Sequence, residues 1–200
     1  MPRKPKFDGG TKNRMLEVAT KMFFEKSYEG TSVRDIVKEV GCEVGLFYYY
    51  YKTKDDLFTD VMEHFFEPYK KDFEALVEET KLSPNRALFR FFEYMKKKVI
   101  EFREKYSANM HRTIRWAIRE QSLTVIEPYL EEIIQILVDD GAQLKMDVHL
   151  TAIFLAHGIG SVILHEDAEY VEKTTNQLRK VVHLIMGLSE ERIKEMFGDE

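Results

Sequence analysis

Two hundred residues, 44% hydrophobic and 32% charged, supply a core for one or two domains; scarce Gly and Pro and no strand-like alternation indicate a helical chain. One cysteine, Cys42, excludes an internal disulfide and suits a cytoplasmic protein. The start, "MPRKPKFDGG", lacks the apolar run of a secretory signal, and the longest apolar stretch, "LTAIFLAHGIGSVIL", is shorter than the ~20 residues of a membrane span. A net charge of −5 argues against blanket nucleic-acid binding, but residues 1–54 carry eleven Lys/Arg against seven Asp/Glu, which allows a local phosphate-binding module.

Residues 1–10 are expected to form a flexible basic arm. A first helix follows from Thr11 to Lys26, with Met15, Leu16, Ala19, Met22 and Phe23 at helical spacing. "YEGTS" breaks it. Ser32-Val-Arg-Asp35 has the pattern of a capping box opening a second helix, whose apolar side is Ile36, Val37 and Val40. Gly41 closes that helix in the manner of a left-handed cap. A short third helix begins near Val44, and Thr53, backed by Asp55 and Asp56, caps a fourth. Two short helices joined around a glycine make a helix-turn-helix corner inside the basic quarter of the chain.

Four tyrosines, Tyr48 to Tyr51, run through the third helix. At about 100° per residue Val44, Phe47 and Tyr51 share one side and form its core face. Gly45, Tyr48, Tyr49 and Lys52 fall on another, while Leu46 and Tyr50 point to a third. Four consecutive tyrosines cannot all be core. The outward ones either lie on neighbouring helices or present hydroxyls to a polyanion beside a glycine that lets the backbone come close. Lys54 adds a charge for a phosphate.

The stretch "TSVRDIVKEVGCEVGLFYYYYKTKDDLF" (31–58), with "MLEVATKMFFEKSYEGT" before it, resembles the helix-turn-helix signature of the tetracycline-repressor (TetR) family. The matching positions are Thr31-Ser32, Asp35-Ile36, Gly41, Gly45, Phe47-Tyr48-Tyr49-Tyr50-Tyr51 and Lys52-Thr53-Lys54, within about 45 residues. The chain departs from the pattern at Glu43-Val44, where family members commonly carry Ser-Lys. It departs also at Ser27, often a glycine, and at Leu46, usually small or polar. The resemblance implies a DNA-contacting set of Ser32, Arg34, Gly45, Leu46, Tyr48, Tyr49, Tyr50, Lys52 and Lys54 in a domain of residues 11–54. It also implies a ligand-binding and dimerisation domain over 55–200.

Beyond residue 60 the pattern is of long helices. Ser83-Pro84 resembles an N-cap followed by proline at the first helical position. Leu88, Phe91, Phe92, Met95, Val99 and Phe102 then form one stripe. Pro68 and Pro128 are each expected to kink or restart a helix. Arg112, Arg115 and Arg119 form a ridge on which Trp116 can stack against Arg112. A ligand chamber of the kind the resemblance implies would use Phe92, Met95, Val99, His111, Trp116, Phe154 and His157. Asp147 caps a helix from Val148 to His165 that is apolar nearly all round, hence buried on two sides. One side can be the domain's own core and the other a partner subunit, and the period leaves open which. With the resemblance, the side bearing Ala152, Ala156, Ile159 and Ile163 is taken for a homodimer interface, joined by Leu178, Val182 and Ile185 of a helix from Glu169 to Gly187. The alternative is a monomer with a central helix. "SEERIKEMFGDE" reads as a short terminal helix.

Enzyme parts are wanting. The six histidines lack metal-ligand spacing, no glycine loop cradles a phosphate, and no Gly-x-Ser-x-Gly occurs, so no metal, cofactor or catalytic residue is expected. The reading is an all-α DNA-binding transcriptional regulator. Its partners would be a double-stranded DNA operator, a small-molecule effector that releases it as a repressor, and a second copy of itself; no membrane is involved. The rival is a helical ligand-binding or protein-interaction module whose corner does not touch DNA.

Overall fold

The computed structural model describes residues 9–84, 86–106, 109–165, 168–187 and 191; most of the arm and of the expected terminal helix lies outside the described residues. The described residues are helical with no strand, and none of their helices is long and apolar enough to cross a membrane. The elements are α1 (Gly9–Lys26), α2 (Val33–Val40), α3 (Val44–Tyr50), α4 (Lys54–Leu82), α5 (Ala87–Tyr106) and α6 (Arg112–Asp139). Then come α7 (Val148–Ile153), a π-helical segment (Phe154–Ile159), α8 (Gly160–Ile163) and α9 (Ala168–Met186). They divide into two compact units. One holds the described residues up to Pro68 with Tyr106–Ile118; the other holds Tyr69–Lys105 and the described residues from Arg119 onward.

In the first unit local chemistry sets the boundaries. α1 begins at Gly9, two residues earlier than its periodicity suggested, and buries Met15, Ala19, Met22 and Phe23 as that periodicity requires. It ends at Ser27, which adopts φ +76°, a left-handed conformation rare for a side-chain-bearing residue. The Ser27 hydroxyl accepts from Gly30 N at 3.1 Å, and Thr31, fully buried, donates its own hydroxyl to Met22 O and Ser27 O. Strain and hydrogen bond at Ser27 are each worth about 1 kcal/mol and oppose one another. Ser27→Gly is therefore expected to leave the melting temperature nearly unchanged, while Ser27→Ala, which keeps the strain and loses the bond, lowers stability by about 1 kcal/mol. Thermal denaturation of the two variants checks the ordering.

Ser32 and Asp35 form the expected reciprocal box at the start of α2, with Asp35 N donating to Ser32 Oγ and Ser32 N to Asp35. Those bonds from Ser32 hold the Asp35 carboxyl below its ordinary value. Gly41 closes α2 at φ +77°. Thr53 and Asp56 repeat the box at α4, Asp56 N donating to Thr53 Oγ1 and Thr53 N to Asp56. Residues 106–118 return to this unit: His111 N donates to Phe24 O at 2.6 Å, and Met110, Ile114 and Ile118 are buried.

The second unit buries Phe73 and Val77 of α4, Leu88, Phe91 and Met95 of α5, and Leu123, Ile126, Leu130, Ile133, Ile134 and Leu137 of α6. Phe73 stacks on Phe91 at 5.5 Å and meets Tyr129 at 5.4 Å. Two sequence expectations are corrected, and a third, that each proline kinks or restarts its helix, is narrowed. Ser83 does not open α5; its N–H donates to Glu79 O, completing the last turn of α4, and α5 starts at Ala87 after Arg86 at φ +63°. Pro68 and Pro128 restart nothing and lie inside α4 and α6. Both prolines, and His64 and Thr124 four residues before them, are exposed, so the carbonyls they leave without an amide partner can be hydrated. Finally, the helix after Asp147, whose carboxylate accepts from Leu150 N, is not uniform: the middle third is π-helical. Its wider turn rotates later side chains away from a 100° wheel.

Candidate nucleic-acid interface

α3 is anchored by a small number of contacts. Phe47 is fully buried, and Tyr51, just past the helix in extended conformation, is 5% exposed. The Tyr51 hydroxyl donates to Asp60 Oδ2 at 2.7 Å, and Lys12 Nζ lies 2.9 Å from the same carboxylate. Burial, then that hydrogen bond to Asp60, push the Tyr51 phenol far above its ordinary value, so it stays a donor. Burial works against the Asp60 charge, but the Tyr51 hydroxyl and Lys12 outweigh it and hold the carboxyl low.

With Phe47 and Tyr51 fixed, the remaining face of α3 is turned outward. Tyr48 is 57% and Tyr49 72% exposed, and a Cβ on Gly45 would meet nothing within 4 Å. The aromatic rings brace one another, Phe47 against Tyr48 at 5.2 Å and Tyr49 against Tyr50 at 5.1 Å, both edge-on. Ser32, Arg34 and Lys52 are also exposed and Leu46 is half-buried. The exposed set therefore combines two phenols, two cations and an open glycine on adjacent short helices. At the N-cap of α3 stands Glu43, exposed and making no side-chain cap bond.

Three residues differ from their expected placement. Val44, assigned to the core face, is 41% exposed at the first residue of α3. Tyr50 encloses its hydroxyl, which finds no hydrogen-bond partner among the described residues, so that group does not reach an external phosphate. Lys54, expected to point outward, turns back: its ammonium donates to Tyr28 O at 2.9 Å and Thr31 O at 3.1 Å and sits 3.9 Å from the Tyr28 ring centroid. Two backbone carbonyls and an aromatic face outcompete solvent for that charge. Sequence reasoning missed this, since the acceptors lie more than twenty residues away.

In the second unit one side of the α7–α8 segment lies in the core of its own chain. Ala152, Ala156, Ile159 and Ile163, assigned to the dimer, are buried within their own chain, and Gly160 admits the side chains of Leu123 and Ile126 so closely that a Cβ there would lie 3.0 Å from Leu123 Cδ2. Val182 is likewise buried, with Leu178 and Ile185 half-buried. Among the described residues of α7 to α9, apolar side chains that face outward include Leu150, Phe154 (53% exposed), Val181 and Leu184 (74%).

The expected chamber residues are not gathered in one unit. Met95 is buried and Phe92 and Val99 half-buried on α5. Phe154 faces outward, and His157 lies 3.4 Å from Glu127 across α6. His111 and Trp116 belong to the first unit. His111 Nδ1 accepts from Thr113 N at the start of α6, and Trp116 is half-exposed under the Arg112 guanidinium at 4.4 Å. Among the described residues no cluster of His, Cys, Asp or Glu could hold a metal ion.

Residues 15–61 match the model for bacterial regulatory proteins, tetR family. The probable HTH-type transcriptional regulator YttP of Bacillus subtilis (strain 168) is 37% identical over 65 residues, 32% of this chain and 31% of that protein. The HTH-type transcriptional repressor DhaR of Mycobacterium sp. (strain GP1) is 26% identical over 81 residues, 40% of this chain and 41% of its own. The matched segments thus span a third to two-fifths of these relatives' length. Among solved structures, reduced NemR of E. coli superposes with TM-score 0.61 at 13% identity, over 86% of this chain and 96% of that one. FadR of Bacillus subtilis, in complex with stearoyl-CoA, gives TM-score 0.50 at 18% identity, over 89% and 100%. At such identity these two likenesses concern the helical fold alone.

Proposed function

We propose that this chain, a member of the tetR family of bacterial regulatory proteins, is a cytoplasmic, sequence-specific DNA-binding regulator: a homodimeric repressor that a small molecule releases. The observation that carries this reading is the outward face of α3, where Gly45, Tyr48 and Tyr49 stand open while Phe47 and Tyr51 hold the helix from behind. A two-turn helix of this kind fits the major groove. Its phenols can donate to phosphate oxygens or lay apolar edges against thymine methyls, and Arg34 and Lys52 can meet phosphates on either side. The domain of residues 11–54 would do the reading, and residues 55–200 would bind the effector and the second protomer.

The dimer is assigned to the outward side chains Leu150, Phe154, Val181 and Leu184 in place of the buried set expected from sequence. Four large apolar side chains left 39% to 74% exposed are costly in water, and a second copy would cover them. Release follows a two-state scheme: an effector that binds better to a dimer with misplaced reading helices lowers operator affinity by the same factor as DNA lowers effector affinity. The repressor of Mycobacterium sp. supports repression by analogy.

Gly45→Ala tests the central claim. No neighbour occupies the space around Gly45, and alanine favours a helix by about 1 kcal/mol, so the melting temperature is expected to hold or rise. Operator affinity, measured by gel shift on the DNA upstream of the coding region, should fall at least tenfold, because the new methyl stands between helix backbone and phosphate. Unchanged binding for Gly45→Ala, Tyr48→Ala and Tyr49→Ala together would favour an interaction module, a reading for which the exposed Glu43 at the α3 N-terminus is the specific support.

A further inference from the structure

We infer that Lys54, together with Asp55, is a positioning residue for DNA reading and not a phosphate contact; the inference rests on the regulator reading for its link to DNA. The first turn of α4 grips the turn that precedes α2 in three ways. The Lys54 ammonium binds the carbonyls of Tyr28 and Thr31 at 2.9 and 3.1 Å. The Tyr28 hydroxyl donates to Asp55 Oδ1. The Tyr28 ring packs edge-on against Phe58 at 5.1 Å and tilted against Phe23 at 5.6 Å, with Lys54 over its face. Burial, then the bond to Asp55, raise the Tyr28 phenol to about 12, so it remains a donor throughout the physiological range.

This grip lies one residue before the Ser32 cap, where α2 starts. At the far end of the α2–α3 pair the Tyr51–Asp60–Lys12 contact ties the chain to the same helix. The reading pair is thus fastened to α4 where the chain goes in and where it comes out. Between those points the pair is seated by buried Ile36, Val37, Val40 and Phe47 and closed by short-range caps, and the two fastenings fix its ends on α4. Lys54 supplies the strongest donors of the first, since a charged donor to a carbonyl is roughly twice as strong as a neutral one. An ammonium already bound to two carbonyls is a poor candidate for counterion release at a phosphate.

The experiment uses the full-length protein, with Lys54→Met, Lys54→Arg and Tyr28→Phe. In the free protein, amide hydrogen exchange across residues 28–36 should quicken about tenfold in Lys54→Met and Tyr28→Phe, and return towards the parent rate in Lys54→Arg, which keeps charged donors. On operator DNA, Lys54→Met should lower affinity about tenfold at every salt concentration with the slope of log K against log salt unchanged; Lys54→Arg should restore it. A phosphate contact predicts the opposite pattern: a slope smaller by about 0.9 and no change in exchange. That pattern overturns the inference, as does unchanged exchange in both Lys54→Met and Tyr28→Phe. If the parent protein binds no DNA, the regulator reading fails, while the exchange data still decide whether the grip exists.

Discussion

Tyr51→Ala is expected to lower stability by about 3–5 kcal/mol, while Tyr49→Ala, two residues away, leaves the melting temperature nearly unchanged and weakens operator binding by about 1–3 kcal/mol. The contrast follows from placement. Tyr51 is buried against Phe47 at 5.9 Å between ring centroids, and its hydroxyl completes the Asp60–Lys12 contact. Truncation removes a buried aromatic and takes from Asp60 one of the donors that keep it ionised. The same loss has a pH signature. Asp60 has a depressed folded-state value, so its stabilisation is present above the ordinary carboxylate range and is lost as pH falls through the lower folded value. Tyr51→Phe should therefore reduce stability more at neutral pH than in acid. Tyr49 is 72% exposed, and alanine there gives up little packing. Thermal melts paired with operator titrations for both alanine variants decide the matter. If Tyr49→Ala melts the protein and Tyr51→Ala spares it, the faces of α3 have been assigned the wrong way round.

Ile159→Asp is expected to unfold the second unit, whereas Leu184→Asp should give a folded protein that sediments as a monomer. Ile159 is 4% exposed within its own chain, next to buried Leu155, Ala156 and Ile163. An unpaired carboxylate in that place costs several kcal/mol, a large part of the stability of a typical domain. Leu184 is 74% exposed on α9, where a charge costs a lone chain nothing but prevents an apolar contact with a second copy. Circular dichroism and sedimentation velocity on the two variants separate these effects. A folded Ile159→Asp monomer would return the interface to the buried side. A Leu184→Asp variant that stays dimeric would move the interface off this face altogether.

How much of this was legible in the chain differs between the two units, and particular residues show why. The Ser32–Asp35 box, the Gly41 cap, the Thr53–Asp56 box and the Asp147 cap could all be read directly from sequence, because each closes its hydrogen bonds within three or four residues. The burial of Met15, Ala19, Phe23 and Phe47 and the exposure of Tyr48 and Tyr49 follow from one helical period on an amphipathic element. Tertiary structure alone decided the rest. Lys54 is a long cation whose direction depends on carbonyls at Tyr28 and Thr31, brought near by the folding of α1 onto α4. The segment from Val148 is apolar on nearly every side, so its period cannot say which side meets α6. The π-helical turn at Phe154–Ile159 then rotates its second half by an amount no fixed wheel contains. Local bonds determine where helices start and stop; which of two equally apolar faces is buried depends on the neighbours that press against it.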